Sequence, residues 1–225
     1  MSRMNNANTI AGGQPLQGKT VAIVVTDGFE QIELTSPREA LQDAGAITKI
    51  VSPKRDAVQG WNHFQHADMF AVDVPMDEAD PDHFDALLLP GGVANPDQLR
   101  ANPAVLAFVR SFFEQGKPTG AICHGPWTLI DAGVVKGRRM TSYDSIKMDL
   151  KNAGARWVDE EVVVDNGLVT SRAPADLPAF NAKLIEEIAE GPHRPQVIVE
   201  SKEQDISIPL SDEALPDDPV IGRFA

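Results

Sequence analysis

KTVAIVVT, residues 19–26, is a short apolar run rich in β-branched residues that ends at Asp27-Gly28. No polar residue interrupts it between Val21 and Val25, so it reads as a strand buried on both faces of a parallel sheet and running into a loop. Parallel strands need a crossover, and SPREALQDAG (36–45) supplies one. Pro37 fits a first helical turn, Ala40, Leu41 and Ala44 share one side, and Gly45 stops the helix. ITKIVSP (47–53) returns as a strand. From Lys54 to Pro81 no helical period is sustained, and FAVDVP (70–75) alternates like a short half-exposed strand, so this stretch reads as an insertion beside the main sheet.

Beyond it the pattern resumes. FDALLLPGG (84–92) is a second buried strand, NPAVLAFVRSFFEQG (102–116) an amphipathic helix stopped by Gly116, and KPTGAIC (117–123) the next strand. GPWTLIDAG (125–133) and DSIKMDLKNAG (144–154) read as helices, EVVVDNGLVTS (161–171) as a hairpin turning at Asn-Gly, and residues 174–190 as a last helix. The expected fold is a three-layer α/β/α sandwich with a largely parallel, flavodoxin-like sheet of the kind shared with class I glutamine amidotransferases. In strand order 2-1-3-4-5 the first, third and fourth parallel strands lie side by side, and ligands sit beyond their carboxyl ends. Those ends are DGFE (27–30), PGG (90–92) and CHG (123–125).

Composition bounds the function. The 225 residues, 42% hydrophobic and 24% charged, suit one domain (19–191) with a polar leader (1–18) and a Pro- and Asp-punctuated arm (192–225) lying on a surface or a neighbouring subunit. A net charge of -13 argues against nucleic acid and anionic lipid as partners. No signal peptide and no apolar run of the roughly 20 residues a membrane helix needs is visible, so a cytoplasmic protein is expected. The single cysteine, Cys123, cannot form an intramolecular disulfide.

Several features look chemical and are better read as structural. GQPLQGKT (13–20) matches the phosphate-loop pattern, but a strand should feed that loop and a helix leave it, whereas here a polar leader precedes and a strand follows. His63 and His66, spaced H-x-x-H, lack a third ligand and read as surface histidines. Asp159-Glu160-Glu161 and Glu186-Glu187 read as solvated faces. No cofactor and no metal site is expected.

AICHGP (121–126) is different. A lone cysteine is most often a small buried hydrophobe, yet Cys123 falls where an apolar strand meets helix-starting sequence. Such an elbow projects a nucleophile and sets a thiolate near a helix N-terminus, where its pKa can fall below the usual value of about 8.5. His124 is adjacent and can act as base or proton donor.

AICHGP together with DGFEQIEL (27–34), DALLLPGG (85–92), TSYDSIK (141–147), NAGARWVDEEVVVD (152–165) and LVTSRAPADLPAF (168–180) resembles the PfpI branch of the ThiJ/PfpI superfamily, from about Lys19 to Gly191. That branch includes cysteine peptidase-like and stress-response proteins, some described as protein deglycases. The resemblance implies Cys123 as nucleophile, His124 as its partner, Glu30 as the glutamic acid on the cysteine sulfur, and the amides near Gly91 and Gly92 as the oxyanion hole. It also implies an acid from a neighbouring subunit, here Asp97, and therefore a homodimer or higher oligomer. Asp97 stands where archetypal peptidases of the branch carry Glu, and Trp127 where relatives often carry a smaller or polar residue. The function implied is a cysteine-dependent hydrolase, deglycase- or glyoxalase-like or else peptidase-like, acting on a small carbonyl adduct or a peptide in stress response. The competing reading is a non-enzymatic redox sensor or chaperone whose Cys123 is oxidised to sulfinate. An amidotransferase glutaminase fits poorly, because the later His-x-Glu that such glutaminases share is missing.

Overall fold

The computed structural model describes residues 14–196. Strand β1 (Thr20–Val24) is fully apolar apart from its first residue and lies inside the main sheet with a parallel neighbour on each side. A two-residue β2 (Phe29–Glu30) leads into α1 (Gln31–Asp43), followed by β3 (Ile47–Ser52), β4 (Ala57–Asn62), β5 (Gln65–Ala71) and β6 (Val74–Pro75). Next come β7 (Ala86–Leu89), α2 (Ala94–Arg100), α3 (Pro103–Glu114), β8 (Thr119–Ile122) and α4 (Pro126–Asp131). The chain continues through β9 (Arg139–Met140), α5 (Lys147–Asn152), β10 (Arg156–Trp157), β11 (Val162–Asp165), β12 (Leu168–Ser171) and α6 (Leu177–Glu190).

The main sheet runs β11-β12-β8-β7-β1-β3-β6. Apart from the short edge β6, its parallel members β3, β1, β7, β8 and β12 stand in the order 2-1-3-4-5, and β11 joins antiparallel through the Asn166-Gly167 turn. Side-chain alternation along the strands divides the core. Ala22, Val24, Leu87, Leu89 and Ala121 face Phe108 and Phe112 of α3 and Leu129 of α4. Val21, Ile23, Leu88 and Ile122 face Leu34 and Leu41 of α1 and Phe180 and Leu184 of α6. Strands covered on both sides are continuous apolar runs for this reason.

Several expectations need correction. Helix α1 begins at Gln31, five residues before the expected start, so Pro37 lies inside it and is buried. Proline there has no N–H for the carbonyl of Glu33, a cost offset by packing of the ring. The stretch after Lys54 is more ordered than an insertion without period suggests: β4 and β5 form a hairpin that pairs with β2 in a separate three-stranded sheet. Helix α2 and the β9-β10 pair were not legible in the sequence. Leu16, within the stretch read as leader, is fully buried, and its N–H bonds Ala44 O at 2.9 Å. Glu187, read as solvated, is only 7% exposed. In the phosphate-loop match, a turn at residues 15–18 is followed by β1 and not by a helix. The chain after α6 runs back over the end of α3, with His193 N donating to Gly116 O and Gln196 N to Phe113 O. Residues 1–13 and 197–225, most of the leader and arm, lie outside the described residues.

Candidate active site

The carboxyl ends of β1, β7 and β8 meet at one place, as the strand order requires. Cys123 follows β8 directly and has φ +60°, a left-handed conformation that is uncommon for a non-glycine residue and compatible with a sharp elbow. Its N–H bonds Ser171 O at 3.0 Å and its carbonyl accepts from Tyr143 N at 2.9 Å, which fixes the elbow from both sides. Sγ is 3.2 Å from His124 Nδ1, and His124 Nε2 is 3.0 Å from Ser145 Oγ. The imidazole is held between aromatic rings, stacked on Tyr143 at 4.7 Å and edge-on to Trp127 at 5.4 Å. Trp127 is itself pinned, with Nε1 donating to Asp149 at 2.7 Å and the Arg100 guanidinium over its ring.

The glutamate at the sulfur is Glu33, not Glu30. Glu33 is fully buried in the first turn of α1, its carboxyl beside the Cys123 thiol and its Oε2 accepting from Gly91 N at 2.8 Å. Glu30 is the last residue of β2 and points the other way, accepting from His63 N at 3.0 Å, where it closes the β4-β5 turn. Both acids stand in DGFEQIEL, and the choice between them depends on where α1 starts. With the helix opening at Gln31, position 33 shares the buried face with Leu34, Pro37 and Leu41.

The oxyanion donors also need correction. The Gly91 N–H is committed to Glu33. The amides that face the sulfur belong to Gly92 and His124. Gly91 still has to be glycine: a Cβ there would stand 2.7 Å from Glu33 Oε2 and 2.8 Å from Cys123 Cβ. Asn95 fixes this turn and was missed by sequence reasoning. Fully buried, it accepts from Thr26 N at 2.8 Å and donates to Pro90 O at 2.9 Å and Gly91 O at 3.1 Å, tying the ends of β1 and β7 together. Ser145 and Tyr143 were missed as well, although both lie in the TSYDSIK motif.

Burial dominates the titration of these groups. It pushes the Glu33 carboxyl up from 4.5 to about 7, opposed by the Gly91 N–H and the Cys123 contact. It also pushes the Cys123 thiol up, helped by the neighbouring Glu33 charge and opposed by the amides of His124 and Gly92. Placement at the six-residue α4 therefore does not by itself lower this thiol, contrary to the expectation from the elbow. His124 is pushed down by burial, which favours the neutral imidazole.

Asp97 lies on the exposed side of α2, and among the described residues it makes no hydrogen bond to His124 within the chain. No described helix is long and apolar enough to cross a membrane.

Comparison with known proteins agrees with this geometry. The model of the DJ-1/PfpI family matches residues 19–187. A deglycase of Thermococcus kodakarensis is 45% identical over 166 residues, which cover 74% of this chain and 97% of the relative. A deglycase of Pyrococcus horikoshii is 43% identical over 166 residues, with the same coverage of 74% and 97%. Among solved structures, DJ-1beta of Drosophila melanogaster superposes with a TM-score of 0.70 at 29% identity, covering 76% of this chain and 90% of that one. A cysteine elbow at the carboxyl edge of a 2-1-3-4-5 sheet, within a sequence match spanning three quarters of the residues, shows that this chain belongs to the DJ-1/PfpI family.

Proposed function

We propose that this protein is a cysteine-dependent hydrolase that removes small carbonyl adducts from amines, a deglycase-type activity. The observation that carries the reading is the single cysteine at φ +60°, with Glu33, His124 and the Gly92 and His124 amides around its sulfur. The names of the archaeal relatives support it.

Glu33 and Cys123 are too close and too buried to carry two negative charges, so the pair keeps at least one proton. In the reactive form a single proton remains, on Glu33, and the sulfur is a thiolate that the amides of Gly92 and His124 stabilise. At a carbinolamine adduct the thiolate attacks the carbon that bears both the amine and a hydroxyl, forming a C–S bond by displacement, while the two amides hold the hydroxyl oxygen. The C–N bond breaks with its electron pair on nitrogen, and a proton relayed through His124 completes the amine. Water then adds to the sulfur-bound carbon, its proton returns through His124, and cleavage of the C–S bond restores the thiolate. His124 relays best as a neutral imidazole, the form its burial favours.

The test sets wild type and Cys123→Ser side by side on a methylglyoxal-modified peptide, free methylglyoxal and an unmodified unfolded peptide. Wild type should release the unmodified amine from the first, and Cys123→Ser should lose roughly 100-fold or more of that rate. Cleavage of the unfolded peptide without adduct removal would replace this reading with a peptidase. A second reading, a redox-sensing stress protein, is favoured by the protonated Glu33 beside the sulfur, which can donate to a sulfinate oxygen. Peroxide-dependent oxidation with no turnover on any of the three substrates would select it.

A further inference from the structure

The last turn of α6 and the chain just beyond it bring Glu187, Glu190 and His193 together, with one donor atom from each within 4.8 Å of the others. Glu187 Oε2 and His193 Nε2 are 3.0 Å apart, both shielded from solvent, yet not aligned as donor and acceptor, so neither makes a hydrogen bond. Glu187 is 7% exposed, so its carboxylate is a buried acceptor aimed into this cluster. Two ligands of one cation stand this way: bonds of about 2.0–2.1 Å set neighbouring ligand atoms about 3 Å apart, off each other's hydrogen-bond axes.

The electrostatics ask for a cation. The last turn of α6 holds no basic residue, and a helix C-terminus already carries partial negative charge. Glu186 and Glu190 add to that charge. Lys183, one turn earlier in α6, is occupied by Glu186 at 2.6 Å. His193 is seated by its surroundings: its N–H bonds Gly116 O at 2.7 Å, and a Cβ at Gly167 would stand 2.7 Å from its ring. Glu190 is exposed and leaves one side open for entry and for a water ligand.

We propose that Glu187, Glu190 and His193 form a binding site for a divalent first-row transition cation, Zn²⁺ in the first instance. One imidazole and two carboxylates suit such ions, whereas Ca²⁺ and Mg²⁺ prefer all-oxygen sites. Bound there, the ion fastens the chain after α6 to α6 itself, across the end of α3. Glu187 is the last residue of the family match, and Glu190 and His193 fall beyond it.

The test uses the full chain carrying Cys123→Ser, which removes competition from the thiolate, stripped of metal and titrated with ZnCl₂ by calorimetry. One Zn²⁺ per chain is expected, with affinity falling roughly tenfold or more in His193→Gln and Glu187→Gln and unchanged in the double variant His63→Gln/His66→Gln. Far-UV circular dichroism without metal checks that each variant folds. If the buried Glu187→Gln does not, the exposed Glu190→Gln takes its place and should weaken binding by roughly the same factor. Absence of saturable binding, binding that survives both His193→Gln and Glu190→Gln, or binding lost only with His63 and His66 would overturn the proposal.

Discussion

At Cys123 four groups share the space around one sulfur, and the burial of Glu33 decides how they titrate. A carboxyl pushed up from 4.5 to about 7 is still protonated in the folded protein at pH values where the unfolded chain has ionised it. The native state then binds the extra proton, so the Glu33 contribution is fully present below about pH 4.5 and is lost as pH rises through about 7. The loss amounts to about 3 kcal/mol. His124 acts with the opposite sign: its lowered pKa contributes stability above the ordinary histidine value of 6.5 that is lost as pH falls. Urea unfolding of wild type and Glu33→Gln from pH 4.5 to 7.5 separates the two, because the difference between the curves should decline by about 3 kcal/mol with rising pH. Parallel curves would mean that Glu33 does not hold a proton in the native state. The same pair of acids gives a second expectation. Glu33→Gln should change the rate of Cys123 alkylation by iodoacetamide by roughly tenfold, whereas Glu30→Gln, whose partner is His63, should leave it within about twofold.

The elements position the site through a few contacts between loop and strand ends. Asn95 opens no strand and touches no reacting atom, yet it bonds the backbone at the ends of β1 and β7 through three hydrogen bonds. Asn95→Ala leaves Thr26 N, Pro90 O and Gly91 O buried without their partner, at a cost of about 2–4 kcal/mol. As a positioning residue it should also lower kcat more than it raises KM, since the Gly92 amide shifts with the turn. A denaturation midpoint that falls while the kinetic constants stay unchanged would limit Asn95 to stability. Helix α1 works similarly: starting at Gln31 it turns Glu33 inward, and its interior Pro37 is accommodated by burial.

At the scale of the whole molecule, His124 is oriented within the chain by Ser145. Asp97 stands on the outer side of α2, so if it reaches a histidine, that histidine belongs to a second copy. Mixing inactive Cys123→Ser with weakened Asp97→Asn under conditions of subunit exchange should then restore sites that combine a good cysteine with a good aspartate. Activity above the sum of the two parents is the expected outcome. Exchange demonstrated by mass spectrometry with no gain in activity would leave Asp97 outside the reaction.

Sequence alone was enough for the layered fold, because continuous apolar strands such as KTVAIVVT can exist only where helices cover both faces, and alternation of strands with crossovers fixes parallel pairing. It also placed Cys123 and His124, since an elbow between an apolar strand and a helix start is a local feature of the chain. Tertiary structure decided the rest. Whether Glu30 or Glu33 meets the sulfur depends on the exact start of α1, which neither a cap residue nor Pro37 announces. Whether Gly91 or Gly92 offers a free amide depends on a carboxylate 58 positions earlier in the chain. That Glu187 is buried beside His193 depends on the chain after α6 folding back over the turn that joins β11 to β12, a contact no periodicity encodes. Burial and partner choice are properties of surfaces brought together from distant positions, and a pattern read along one segment does not contain them.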